Sequence, residues 1–300
     1  MNDSTLRPRK ATPLWIACLV AMLCAALSTT MFVGATAARA DDKADAVAAT
    51  VDKALADTLS TLATADGKKI AEMLSIQASE ILMPKGDGFV AVNAAKLQKT
   101  PKLGEDFKLP AGVKVKDHEI LSVGGLITVR ATLTMPGDAP DKILSGVLTD
   151  EAGKLKYMML SISQPKGDKD PEAIKTTAAI KDILGAWAAG FPKGDVSPLE
   201  EKLNEDPFSA AVTGPDGQLF AFAYPDYFIG MINSFLAMGT ADYSVLEGVQ
   251  VDADGAVATA RANWNLSITA FGQVKGKVVA HFCKTAKGWR LVGMAGGVPT

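Results

Sequence analysis

The residues best suited to chemistry lie in Tyr224-Pro225-Asp226-Tyr227, a carboxylate flanked by two phenols. A positioned carboxylate can move a proton, and Tyr224 and Tyr227 could donate hydrogen bonds to a developing oxyanion. The competing reading is structural: Asp226 caps a helix that starts at Pro225, and the tyrosines edge a core with their hydroxyls in water. His281 and Cys283 stand two apart on one predicted strand face. Two ligands are too few for a metal, and no third joins them at suitable spacing, so no metal is expected. Cys283 has no activating neighbour other than His281, which argues against a nucleophile. His118, in Asp117-His118-Glu119, reads as solvated surface. Lys85-Gly86-Asp87 and Lys193-Gly194-Asp195 are turns, because a single glycine in a charged turn cannot build a phosphate cradle. No cofactor is expected.

A second set of residues points to binding. Trp187, Phe220, Phe222, Phe228, Trp264 and Phe282 are apolar and fall at element spacing. They could line a cavity for a small apolar molecule, or simply fill a core.

The chain must be organised as a duplication to position these groups. Asp66, Ile70 and Leu74 recur as Asp195, Leu199 and Leu203, a shift of 129. Ser79 to Gly88 recurs as Ser209 to Gly217, and Gly124 and Arg130 recur as Gly255 and Arg261. Each copy has to bury its own core. The expected boundaries are a leader over 1–40, a first domain over 41–163, a linker over 164–170 and a second domain over 171–300.

The leader reads as an export signal. Arg7, Arg9 and Lys10 precede an uncharged stretch from Leu14 to Ala37, and Ala38-Arg39-Ala40 offers a cleavage site. The protein is therefore expected to be periplasmic or secreted. An uncleaved N-terminal membrane anchor is the alternative. Without residues 1–40 the chain holds 27 basic and 32 acidic side chains, net −5, which gives no footprint for nucleic acid. Cys18 and Cys24 leave with the leader, so Cys283 is alone and no intrachain disulfide can form.

Within the first copy, Val47, Val51, Leu55, Leu59 and Leu62 form one helical stripe, and Ile70, Met73 and Leu74 begin a second short helix. From Val115 the period changes to two, predicting four strands. The second copy repeats the order: a helix carrying Ile180, Leu184, Trp187 and Phe191, a short helix at Leu199, a third helix over Phe228 to Leu236, then long strands. On the strand from Ala256 to Ile268, Ala258, Ala260, Trp264 and Leu266 share the face that must pack under helices. Arg261, Asn263 and Asn265 share the outer face, as Arg130 does in the first copy.

The second copy resembles the nuclear-transport-factor-2-like superfamily, the cone fold of polyketide-cyclase-like and ketosteroid-isomerase-like proteins. The resemblance is carried by the helix ending at Phe191-Pro192-Lys193-Gly194-Asp195, by Tyr224-Pro225-Asp226-Tyr227-Phe228 and by Gly288-Trp289-Arg290-Leu291-Val292. It implies an α+β class: two tandem cones, each with two or three N-terminal helices packed on a curved four-stranded antiparallel sheet. It implies a pocket between sheet and helices, and, in relatives that are enzymes, an Asp, Tyr or His inside the cone. It also implies dimer-like packing through outer sheet faces, here as an intrachain pseudo-dimer with Arg130, Arg261, Asn263 and Asn265 near the seam. Fold alone does not give function. The leading expectation is an exported, non-enzymatic protein that binds a small molecule or scaffolds. The alternative is a cofactor-free lyase, isomerase or hydrolase built on Asp226 with Tyr224 or Tyr227.

Overall fold

A computed structural model describes residues 37–123, 125–167, 169–214, 218–237, 241–269 and 272–297. The expected leader up to residue 36, the Gly124 turn, the Pro215-Asp216-Gly217 turn and the Gly239 helix stop lie outside them.

The first half opens with α1 (Ala37–Thr64) and α2 (Gly67–Met73). The predicted stripe is the buried face of α1: Val51, Leu55 and Leu62 are fully or almost fully enclosed. Asp66 caps α2, accepting from Lys68 N at 3.0 Å and Lys69 N at 3.4 Å, which satisfies two of its free amides. Then follow β1 (Glu80–Lys85), β2 (Gly88–Val92), α3 (Ala94–Lys99) and a 3₁₀ segment (Pro101–Phe107). The half closes with β3 (Lys114–Val123), β4 (Leu126–Thr134), β5 (Lys142–Glu151) and β6 (Lys154–Ser163).

The second half repeats this plan. It runs α4 (Pro171–Gly190), α5 (Ser197–Glu200), β7 (Ser209–Thr213), β8 (Leu219–Phe222) and α6 (Pro225–Ala237). Long strands follow: β9 (Ala241–Ala253), β10 (Val257–Ile268), β11 (Gly272–Thr285) and β12 (Gly288–Gly297). Asp170 caps α4 ahead of Pro171, as its sequence predicts, and Asp195, the counterpart of Asp66, accepts from Ser197 N at 3.0 Å.

Each half forms one six-stranded sheet, ordered β2-β1-β6-β5-β4-β3 and β8-β7-β12-β11-β10-β9. Two features correct the four-stranded antiparallel expectation. A short hairpin adds two strands to each sheet, and β1 on β6 and β7 on β12 pair in parallel. Separate apolar cores lie beneath the two sheets, one around Leu55, Phe107 and Tyr157, the other around Trp187, Phe228 and Phe282. Ala258, Ala260 and Leu266 face the second core, as strand alternation requires.

The outer sheet faces meet. Ser161 Oγ lies 2.9 Å from Thr259 Oγ1, and Ser209 Oγ donates to the Met158 carbonyl at 3.0 Å. Two smaller apolar clusters span the seam: Val147, Met158 and Met159 with Ala211, Val279 and Ala295, and Leu82 with Val257, Cys283 and Val292. The outer row of β11 is therefore not a solvated polar row, since Val279, His281 and Cys283 are all buried.

Candidate ligand site in the second half

The structure places the Asp226 group on the outside of the molecule. Asp226 sits in the first turn of α6 and is exposed; Tyr224 and Tyr227 are 63% and 69% exposed. The two rings stack edge to face at 6.0 Å, on the surface. Of the two readings of this segment, the exposed positions agree with the structural one: Pro225 starts the helix and Asp226 stands in its opening turn, open to water.

The aromatic set lies together, as a packed core rather than the lining of an open cavity. The Trp187 and Trp264 rings are 5.2 Å apart, and Phe191 stands edge-on to both. Phe228 packs against Phe208 at 5.7 Å and Phe222 at 5.8 Å, with Phe282 fully buried beside them. Phe222, Met231, Leu236, Leu246 and Trp264 are half-buried at the edge of this core.

One atom in the core is unaccounted for. Trp264 Nε1 donates to Ser244 Oγ at 2.8 Å, but Trp187 Nε1 is buried with no acceptor among the described residues. A buried donor left alone costs about 1–3 kcal/mol, so such groups ask for a reason. The first half shows what has been lost. Val51, Leu55, Thr58 and Leu62 on α1 match Ile180, Leu184, Trp187 and Phe191 on α4 at the repeat shift, and all eight are buried. Across from them, Tyr157 bridges to Leu74 as Leu291 bridges to Leu203. Thr58 and Tyr157 bond through their hydroxyls at 3.2 Å. In the second half the same two places hold Trp187 and Leu291, and the leucine offers no acceptor.

Tyr157 seals the first cone. Burial pushes its phenol up to about 12, against the opposing effect of its bond to Thr58. Gly146 makes room for the ring, since a Cβ there would lie 2.6 Å from Tyr157 Cε1. Two openings exist elsewhere. A groove of about 480 Å³ runs between α1, at Asp52, Leu55 and Leu59, and Pro110 to Val115. A polar cavity of about 340 Å³ lies in the seam, lined by Arg130, Arg261, Asn263 and Lys277 among others.

The remaining seam residues divide. The Arg130 guanidinium forms two bonds to Asp252, 2.8 Å from Nε and 2.9 Å from Nη2. That bond holds the Arg130 pKa above its ordinary value despite partial burial. Arg261 Nη1 reaches Glu119 at 2.8 Å, so each arginine crosses to an acid of the other half. Asn263 is exposed and Asn265 half-buried; no bond from Asn265 crosses the seam among the bonds described. Burial, and then the nearby Glu80, push the Cys283 thiol up to about 12, which keeps it un-ionised and unreactive. His118 is half-buried, with Nε2 3.3 Å from Asp52. Among the described residues no group of three or more His, Cys, Asp or Glu is gathered as a metal site would need. Sequence reasoning missed Glu80 altogether and treated His281 as isolated, although the two meet in the seam across 201 positions of chain.

No family model and no curated protein matches this chain. Solved structures do. A nuclear-transport-factor-2-like protein of unknown function from Pseudomonas putida is 13% identical, covers 42% of this chain and 88% of its own, with a TM-score of 0.38. A protein of the same likeness with a cystatin-like fold from Novosphingobium aromaticivorans is 17% identical, covering 44% and 92%, TM-score 0.35. A superfamily protein from Salmonella enterica is 14% identical, covering 42% and 93%, TM-score 0.36. Each spans about one half of this chain. By its own element order and strand pairing, the chain is a tandem of two α+β halves, each about the length of one of these proteins.

Proposed function

We propose that this is an exported, non-enzymatic protein whose second cone binds a small, largely apolar molecule carrying one hydrogen-bond acceptor. The observation that supports it is the buried Trp187 Nε1, without a partner among the described residues and set among aromatic rings. An acceptor supplied by a ligand satisfies that donor, and the rings supply apolar contact. Phe222, Met231, Leu236 and Leu246 form the half-buried edge of this packed core, and the ligand enters by parting them. A binding role accords better than catalysis with the outward, solvated position of Asp226, Tyr224 and Tyr227.

The two halves act as an intrachain pseudo-dimer, with Arg130 and Arg261 at its seam; the reciprocal Arg130–Asp252 and Arg261–Glu119 bonds favour this reading. The basic, apolar and small-residue order of residues 1–40 supports export to the periplasm or out of the cell. Native mass spectrometry of protein purified from its own host tests the binding role. A co-purifying small molecule, lost in Trp187→Phe, is expected. Bare protein, together with no uptake of apolar ketones in vitro, would reduce the role to scaffolding.

A further inference from the structure

Among the described residues, the seam carries a buried carboxyl–imidazole pair on one side of its repeat and not on the other. Glu80 and His281 are fully enclosed, with Oε1 2.6 Å from Nδ1. His281 Nε2 lies 3.4 Å from Ser145 Oγ and 3.5 Å from Ser161 Oγ, and Ser161 continues to Thr259. Glu80 Oε2 has no partner among the described residues.

Strand register identifies the matching place on the other side of the seam. The β5–β6 pairing shifts just after Val147, and the β11–β12 pairing shifts just after His281, so Val147 occupies the place of His281. Glu80 pairs with Met159 across β1 and β6, as Ser209 pairs with Gly293 across β7 and β12. Ser209 therefore occupies the place of Glu80, which moves the match one residue from the Ser79–Ser209 pairing read from the sequence. Glu80–His281 is answered by Ser209–Val147, an apolar spot where the serine turns to the Met158 carbonyl. The space differs accordingly. A Cβ on Gly293 would lie 2.9 Å from Glu80 Oε1, so the glycine is a notch for the carboxyl; its counterpart is the bulky Met159.

We infer that Glu80, His281 and the Gly293 notch form a one-sided key, by which the outer face of the first half recognises the outer face of the second and not its own kind. Two first-half faces brought together would set Glu80 against Val147 twice. Two second-half faces would set His281 against Ser209 twice. The first arrangement buries Glu80 against an apolar residue, and the second gives His281 a hydroxyl in place of a carboxylate; an interface rejects a near-identical competitor through such losses. The partner this surface fits is the other half of the same chain. This inference does not depend on any ligand.

Thermal unfolding of the full chain tests the key by substituting each residue with its counterpart. Glu80→Ser and His281→Val alone each strand a buried group and should lower Tm by roughly 6–20 °C. The double variant should recover at least half of the summed loss. Gly293→Ala should lower Tm in the wild type and lower it less in the double variant, where the contacts of the added Cβ with Met159 at 3.0 and 3.3 Å remain. If His281→Val alone does not fold, folding of the double variant supports the key and its failure contradicts it. Additive losses, or a neutral His281→Val, would overturn the key, since a merely apolar seam welcomes valine. A protease site placed between Gln164 and Asp170 tests recognition. After nicking, native mass spectrometry should find first-half with second-half pairs only. Same-half pairs, or halves that part without preference, would overturn it.

Discussion

The two cones share helices, sheet order and buried stripe, yet differ at the pair of positions that closes them. In the first, Thr58 and Tyr157 satisfy each other and the tyrosine ring fills the space over Gly146. In the second, Trp187 keeps a buried N–H while Leu291 offers it nothing. Duplication thus lets one copy seal its interior while the other retains an unmet donor. The first cone's pair is mutually bonded, whereas the second cone keeps a donor that a ligand could meet.

The largest expected effect comes from making the first cone like the second. Tyr157→Leu removes a buried ring and its bond to Thr58, whose hydroxyl keeps the Ala54 carbonyl at 2.7 Å, and should cost about 3–5 kcal/mol by denaturant unfolding. Alkaline pH should act on the same region. The folded pKa of Tyr157, about 12, exceeds its ordinary value of 10.0, and that of Cys283, about 12, exceeds 9.0. The native state then holds protons that the unfolded chain releases, so stability is complete below pH 9 and falls as pH rises from 9 toward 12. Each group contributes about 1.4 kcal/mol per unit of its window. In Cys283→Ala the decline should begin about one unit later, near the ordinary tyrosine value. Thr58→Val should cost about 1–3 kcal/mol by leaving the Tyr157 hydroxyl unpaired. Trp187→Phe should change the ligand-free stability by no more than about 1 kcal/mol, because losing ring volume and losing an orphan donor oppose each other. A large loss there would mean that Trp187 is only core and that the two cones do not differ in kind.

Much of this plan was legible from residue order. The α1 stripe, the period-two strands, the Asp66 and Asp195 repeats and the inward row of Ala258, Ala260 and Leu266 follow from local periodicity. β1 and β2 were not. The first four residues of β1 are all buried, so it shows no alternation, and β2 is only five residues long. Asp226 left two readings open, because a carboxylate between tyrosines looks alike whether it opens a helix in water or lines a pocket. The groups that set the cones apart were hidden for another reason. Thr58 meets Tyr157 across 99 positions and His281 meets Glu80 across 201, and no spacing rule reaches so far. The repeat shift pairs Thr58 with Trp187, but its meaning needed the strand bridges at Tyr157 and Leu291.

The account rests on the Trp187 indole N–H, and nuclear magnetic resonance reads that proton directly. Its signal is assigned by its absence in Trp187→Phe, then followed as 4-tert-butylcyclohexanone or the matching hydrocarbon, tert-butylcyclohexane, is added. The account predicts a saturable downfield shift with the ketone and a smaller response to the hydrocarbon. A signal that neither compound moves, at concentrations where apolar ligands of this size bind open cavities, would contradict it.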